Sequence, residues 1–157
     1  MSTIPFNIAT PYGIAMDNAG NLYVTANVPY VYKVTPQGTI STFSATPSSN
    51  ATGSGLAFDT AGNLFESLPQ DGRVIRISPD GKSATTVAIG LTDPGGLAFD
   101  DAGNLFVASG FGQRITRIAP TARNRCTPTR SLAGSAGSLS MPSKTSTPPT
   151  SPARLRS

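Results

Sequence analysis

One pattern occurs three times in this chain: Gly13-Ile-Ala-Met-Asp17-Asn-Ala-Gly20-Asn21-Leu-Tyr-Val24, Gly55-Leu-Ala-Phe-Asp59-Thr-Ala-Gly62-Asn63-Leu-Phe-Glu66 and Gly96-Leu-Ala-Phe-Asp100-Asp-Ala-Gly103-Asn104-Leu-Phe-Val107, at offsets of 42 and 41 residues. A second shared motif follows each copy: Val31-Tyr-Lys-Val34-Thr-Pro-Gln-Gly38, Val74-Ile-Arg-Ile77-Ser-Pro-Asp-Gly81 and Ile115-Thr-Arg-Ile118-Ala-Pro120. Such a chain builds one small unit several times, and each unit buries its apolar side chains against its neighbours rather than in a core of its own.

Within a unit, short apolar or alternating runs are separated by turn residues every eight to twelve positions, a rhythm of strands that leaves no room for a helix. In the first unit, residues 13–16, 22–26, 30–35 and 39–44 read as four antiparallel strands. The Asp-x-Ala-Gly-Asn linkers suit tight hairpins. Asp17, Asp59 and Asp100 can accept hydrogen bonds from backbone amides ahead of them, and Gly20, Gly62 and Gly103 supply a positive φ beside Asn21, Asn63 and Asn104. Four strands in 41 or 42 residues is the size of a β-propeller blade. The expected fold is all-β, a partial propeller of about three four-stranded antiparallel blades followed by a disordered C-terminal tail.

The motifs Gly-Leu-Ala-Phe-Asp, Ala-Gly-Asn-Leu-Phe-Val and Arg-Ile-x-Pro-Asp-Gly resemble the NHL repeat and its relatives, the six-bladed propellers of the gluconolactonase-like and virginiamycin-lyase-like groups, over about residues 10–120. The matching residues make turns and pack strands, so the resemblance implies architecture more than activity. Residues 1–12 are expected to hold the end strand of a preceding blade, 13–52 and 55–93 two blades, and 96–120 an incomplete third. Three blades leave two raw apolar faces, which a second half-propeller could cover by self-association.

The 41-residue period places the next unit start at Gly137 and the next asparagine at Thr145, yet residues 121–157 are rich in Ser, Thr, Pro, Arg and Ala without a strand pattern. Read in the neighbouring codon frame, Gly137-Ser138-Leu139-Ser140-Met141 permits Gly-Leu-Ala-Phe-Asp, and Thr145-Ser146-Thr147-Pro148-Pro149 permits Asn-Leu-Tyr-Ala-Thr. Lys144 is the one position that does not fit. The expectation is a single-base deletion near the Pro120 codon, with residues 121–157 an out-of-frame translation of blade four. The nucleotide sequence tests it.

Charge divides at the same place. Residues 1–120 carry six basic and eight acidic side chains, a net of −2, whereas residues 121–157 carry six basic side chains and no acid, a net of +6. The overall basicity belongs to the tail and does not mark the folded part as a nucleic-acid binder. With no histidine in the chain, His-ligated zinc and imidazole general-base catalysis are excluded. The histidine on which virginiamycin-lyase chemistry relies is missing as well. Cys126 is the single cysteine, so no intramolecular disulfide can form. No apolar run approaches the roughly 20 residues of a membrane helix.

The aspartates of the three turns do not meet the oxygen spacing of an EF-hand loop. Glu66 is different: it replaces Val24 and Val107 at a strand position, where a carboxylate is costly unless paired, ligated or wet. It is a candidate metal ligand, because the resemblance to gluconolactonase-like enzymes implies Glu, Asn and Asp from several blades around a divalent cation such as calcium. The structural reading is a solvated strand end, or pairing with Arg73 or Arg76. Arg73, Arg76, Arg114 and Arg117 alternate with isoleucines, without interleaved aromatics, as on a half-exposed strand rather than a nucleic-acid stripe. Pro149-Thr-Ser-Pro152 has the spacing recognised by polyproline-binding domains, and Asn50-Ala51-Thr52 has the form of a glycosylation sequon. No residue pattern demands a cofactor. The residues point to a binding or scaffold module for a protein or small-molecule ligand; the rival is a fragment of a metal-dependent gluconolactonase-like hydrolase.

Overall fold

Alternating apolar runs and turn residues set eleven strands and no helix in the described part of a computed structural model, which covers residues 8–45 and 53–120. All of these belong to one unit, Met1–Cys126, and the second unit, Thr127–Ser157, lies outside the described residues. The first sheet comprises β1 (Pro11–Met16), β2 (Leu22–Ala26), β3 (Tyr30–Val34) and β4 (Ile40–Ala45). The second comprises β5 (Leu56–Phe58), β6 (Leu64–Leu68), β7 (Arg73–Ile77) and β8 (Ala84–Ala88), and the third β9 (Pro94–Phe99), β10 (Leu105–Ser109) and β11 (Arg114–Ile118). Each sheet is an antiparallel meander in chain order. Three such sheets side by side form a partial propeller; the fourth-strand position of the third falls after Pro120, outside the described residues.

β1 opens earlier than position 13, because Pro11 pairs with Ala26 across an irregularity between Pro11 and Ile14. The end strand expected in residues 1–12 therefore loses Pro11 and Tyr12 to the first sheet, and residues 1–7 lie outside the described residues. A second irregularity recurs at the same repeat position, between Val31 and Tyr32 in β3 and between Val74 and Ile75 in β7. Among the described residues no helix is long and apolar enough to cross a membrane.

The middle sheet is covered on both faces, and every residue of β6 is buried. Because successive side chains of a strand point to opposite faces, Leu64 and Leu68 join Leu56, Ile75 and Ile77 against Tyr23 and Val31 of the first sheet. Phe65 and Val74 meet Leu105 and Val107 of the third. Edge-to-face rings lie in both layers, Tyr23 on Phe43 and Phe58 at 4.8 and 5.0 Å, and Phe65 on Phe99 at 4.9 Å. Each fully buried aliphatic or aromatic side chain contributes about 1.5–3 kcal/mol. A sheet with only one neighbour lacks half of this layer.

A hydroxyl joint ties each sheet to the next. The Thr25 hydroxyl accepts from the Gly13 amide (2.8 Å) and donates to the Ser54 carbonyl (3.2 Å). Forty-two residues later, Ser67 Oγ accepts from the Gly55 amide (2.7 Å) and donates to the Gly95 carbonyl (2.6 Å). Gly13 and Gly55 are required by this approach: a Cβ on Gly13 would lie 2.0 Å from the Ser54 carbonyl oxygen, and one on Gly55 2.2 Å from that of Gly95. The third copy has Ala108 at the hydroxyl position, and among the described residues a Cβ on Gly96 would meet only the Ala108 methyl, at 3.9 Å.

Candidate functional site

An up-and-down meander sends its connections to two ends, and here the ends differ in kind. At one end lie the three Asp-x-Ala-Gly-Asn turns. Asp17 Oδ1 accepts from the Ala19 and Asn21 amides (both 2.9 Å) and Oδ2 from Asn21 Nδ2 (2.7 Å) and the Tyr23 hydroxyl (3.2 Å). Asp59 accepts from Ala61, Asn63 and Asn63 Nδ2 at 2.9, 2.8 and 2.7 Å. Asp100 accepts from the Asn104 amide (2.8 Å) and Asn104 Nδ2 (2.7 Å). Gly20, Gly62 and Gly103 adopt φ of 79°, 80° and 80°, a region that L side chains enter only with strain. Burial raises the Asp17 carboxyl, but hydrogen bonds from Asn21, Tyr23 and Ala19 outweigh it and hold the group below the usual aspartate value. Hydrogen bonds from the Asn104 side chain and amide hold Asp100 low as well. These carboxylates are occupied in shaping their own turns.

Between the first two of these turns a cleft of about 710 Å³ is lined by Asp17, Tyr23, Lys33, Phe58, Asp59 and Pro79. Lys33 Nζ stands 5.5 Å from the centre of the Tyr23 ring, within cation–π range.

At the opposite end the connections share no common sequence: Asn27-Val28-Pro29, Pro69-Gln70-Asp71-Gly72 and Gly110-Phe111-Gly112-Gln113. The Leu91 amide donates to the Gly72 carbonyl (2.8 Å), fixing the β6–β7 loop against the β8–β9 connection. Arg73 pairs with Asp71 at 2.6 Å. Phe111 projects with 87% of its surface exposed. The loop does not recur in the other units, so no motif marks it in the sequence.

Glu66 departs from the solvated strand end expected for it. It is fully buried in the middle of β6, paired in register with Leu56 and Ile75, so no strand terminus exposes it to water. Its carboxylate occupies the space that a side chain at Gly53 would need, since a Cβ there would lie 2.0 Å from Glu66 Oε1. Among the described residues no three His, Cys, Asp or Glu side chains converge as a metal site would require, so Glu66 belongs to no three-ligand cluster of these residue types there. Arg76 is half-buried in β7, whereas Arg114 and Arg117 are exposed on β11 and Arg117 donates to Asn104 Oδ1 (3.0 Å). Cys126, the Asn50 sequon and the Pro149–Pro152 motif lie outside the described residues.

No family model and no curated protein matches the chain. Solved structures do. A virginiamycin B lyase from Staphylococcus aureus superposes with a TM-score of 0.61 at 21% identity, over 71% of this chain and 38% of the lyase. A protein described as a putative gluconolactonase gives a TM-score of 0.64 at 20% identity, over 72% of this chain and 46% of its own. Regucalcin from Agrobacterium tumefaciens, described as calcium-binding, gives 0.56 at 20% identity, over 64% and 38%. At these identities the likeness establishes the β-propeller fold. The chain spans less than half the length of each of these proteins.

Proposed function

We propose that this chain is a propeller binding module of the NHL-repeat kind, which holds a protein or small-molecule ligand with the unlike loops at one end of its sheets. The observation that carries the reading is the contrast between the ends. One carries three turns whose carboxylates and glycines make the fold; the other carries non-repeating loops and the exposed Phe111 ring. Loops on a rigid scaffold are free to vary and therefore to bind.

Panning a displayed peptide library against the chain and its Phe111→Ser variant tests this. Binders that need Phe111, and are indifferent to Asn18→Ser in the turn at the far end, support the module. Binders indifferent to Phe111 overturn it.

A second reading, a fragment of a metal-dependent lactone hydrolase, rests on Glu66, a buried carboxylate where the other two copies have valine, and on the gluconolactonase and regucalcin likeness. It needs cation ligands from beyond the described residues. Calcium titration and hydrolysis of a sugar lactone, with Glu66→Gln alongside, separate the two: calcium-dependent turnover lost in the variant favours the hydrolase, and neither binding nor turnover favours the module.

A further inference from the structure

We infer that the open faces of the first and third sheets are complementary, and that two copies of this chain close on each other through them, β9–β11 of one against β1–β4 of the other, twice over. The repeat supplies the evidence, because each open-face residue has a counterpart whose burial inside the chain is known. Ile14 corresponds to Leu56, yet Ile14 is 63% exposed and Leu56 7%. On the far side Ile115 corresponds to Val74, 72% exposed against 0%. Met16 and Tyr12 add exposed apolar surface beside Ile14, and Tyr12, Ile14, Leu22 and Val24 line a depression of about 390 Å³ on that face.

The backbone makes the same case. Gly13 and Gly55 are glycine because the carbonyl of the following sheet comes within 2.0 and 2.2 Å of where a Cβ would lie. Among the described residues Gly96 has no such neighbour, and its φ is not positive, so neither contact nor conformation within the described part of one copy requires glycine. The residue equivalent to Ser54 and Gly95 is Tyr12. Its carbonyl in a second copy fits the space left open at Gly96. Charge agrees: Lys33 and Asp59 face one cleft across the first junction, and at the new one Arg117, the Lys33 counterpart, faces Asp17 of the second copy. Each copy then offers and receives one junction, so two copies bury all four open faces in a closed two-fold assembly.

Sedimentation of the full chain tests the inference. A species of twice the 16.1 kDa chain mass is expected. Gly96→Val adds a branched side chain where the described residues of one copy leave open space, so it should leave the circular dichroism unchanged and weaken the dimer at least about 100-fold. Ala108→Ser restores the hydroxyl of Thr25 and Ser67 at this junction and should tighten it about tenfold, as one or two added hydrogen bonds allow. A well-folded monomer overturns the inference, as does a polymer that lengthens with concentration. So does a monomer destabilised by Gly96→Val, which would mean that the face is already covered within one copy.

Discussion

Replacing Ser67 by alanine removes the hydroxyl that joins the second sheet to the third, and the structure sets how much this should cost. Ser67 is fully buried, and its Oγ accepts from the Gly55 amide at 2.7 Å while donating to the Gly95 carbonyl at 2.6 Å. Two buried hydrogen bonds are worth about 1 kcal/mol each, and an amide left without an acceptor adds a desolvation penalty of about 1 kcal/mol. The sum is about 2–3 kcal/mol. With a urea m-value of about 2 kcal/mol per molar, Ser67→Ala should lower the unfolding midpoint by about 1–1.5 M at fixed protein concentration. Thr25→Ser, which keeps the equivalent hydroxyl of the first junction, should shift it by well under half of that. A Ser67→Ala shift below about 0.3 M would refute the view that this hydroxyl holds adjacent sheets together.

Gly62→Ala places an L side chain at φ 80° with its nearest new neighbour, Pro79 Cγ, at 3.9 Å; it should cost about 1–2 kcal/mol through backbone strain alone, measured by the same titration. Gly55→Ala, driven 2.2 Å from the Gly95 oxygen, should cost more than Gly62→Ala; an equal or smaller loss contradicts the close packing of the junction. Asp17 and Asp100 are held below the ordinary aspartate value when folded. Their contribution is complete above the unfolded value of about 4 and is lost as pH falls through the lower folded values. The unfolding midpoint should therefore drop on acidification from about pH 4 toward 2, less steeply in an Asp17→Asn, Asp100→Asn double variant.

The repeat made the fold legible because strand, turn and period agree in each copy. Residues 22–26 are strand β2 as read, and the three sheets follow the 41- and 42-residue offsets. What escaped is contact between copies. Thr25 and Ser67 share a repeat position and a hydroxyl, a visible signal, but only the structure shows that position reaching the carbonyl of the following sheet. Glu66 reads as a candidate metal ligand, or else as a solvated strand end or a partner of Arg73 or Arg76, because sequence does not say which sheet is central. Once the middle sheet has neighbours on both sides, every residue of β6 is interior, whatever its polarity. Phe111 carries no pattern at all, since its loop does not repeat between the units.

Among the described residues of one copy both faces of one sheet are covered and only one face of each of its two companions, which also sets the order in which a copy separated from its partner loosens. Deuterium should enter the amides of β1 and β11 through fraying at the flanks, while those of β6 and β7 wait for the whole stack to come apart. Heat should peel this protein from its rims inward, in the graded manner of a linear array.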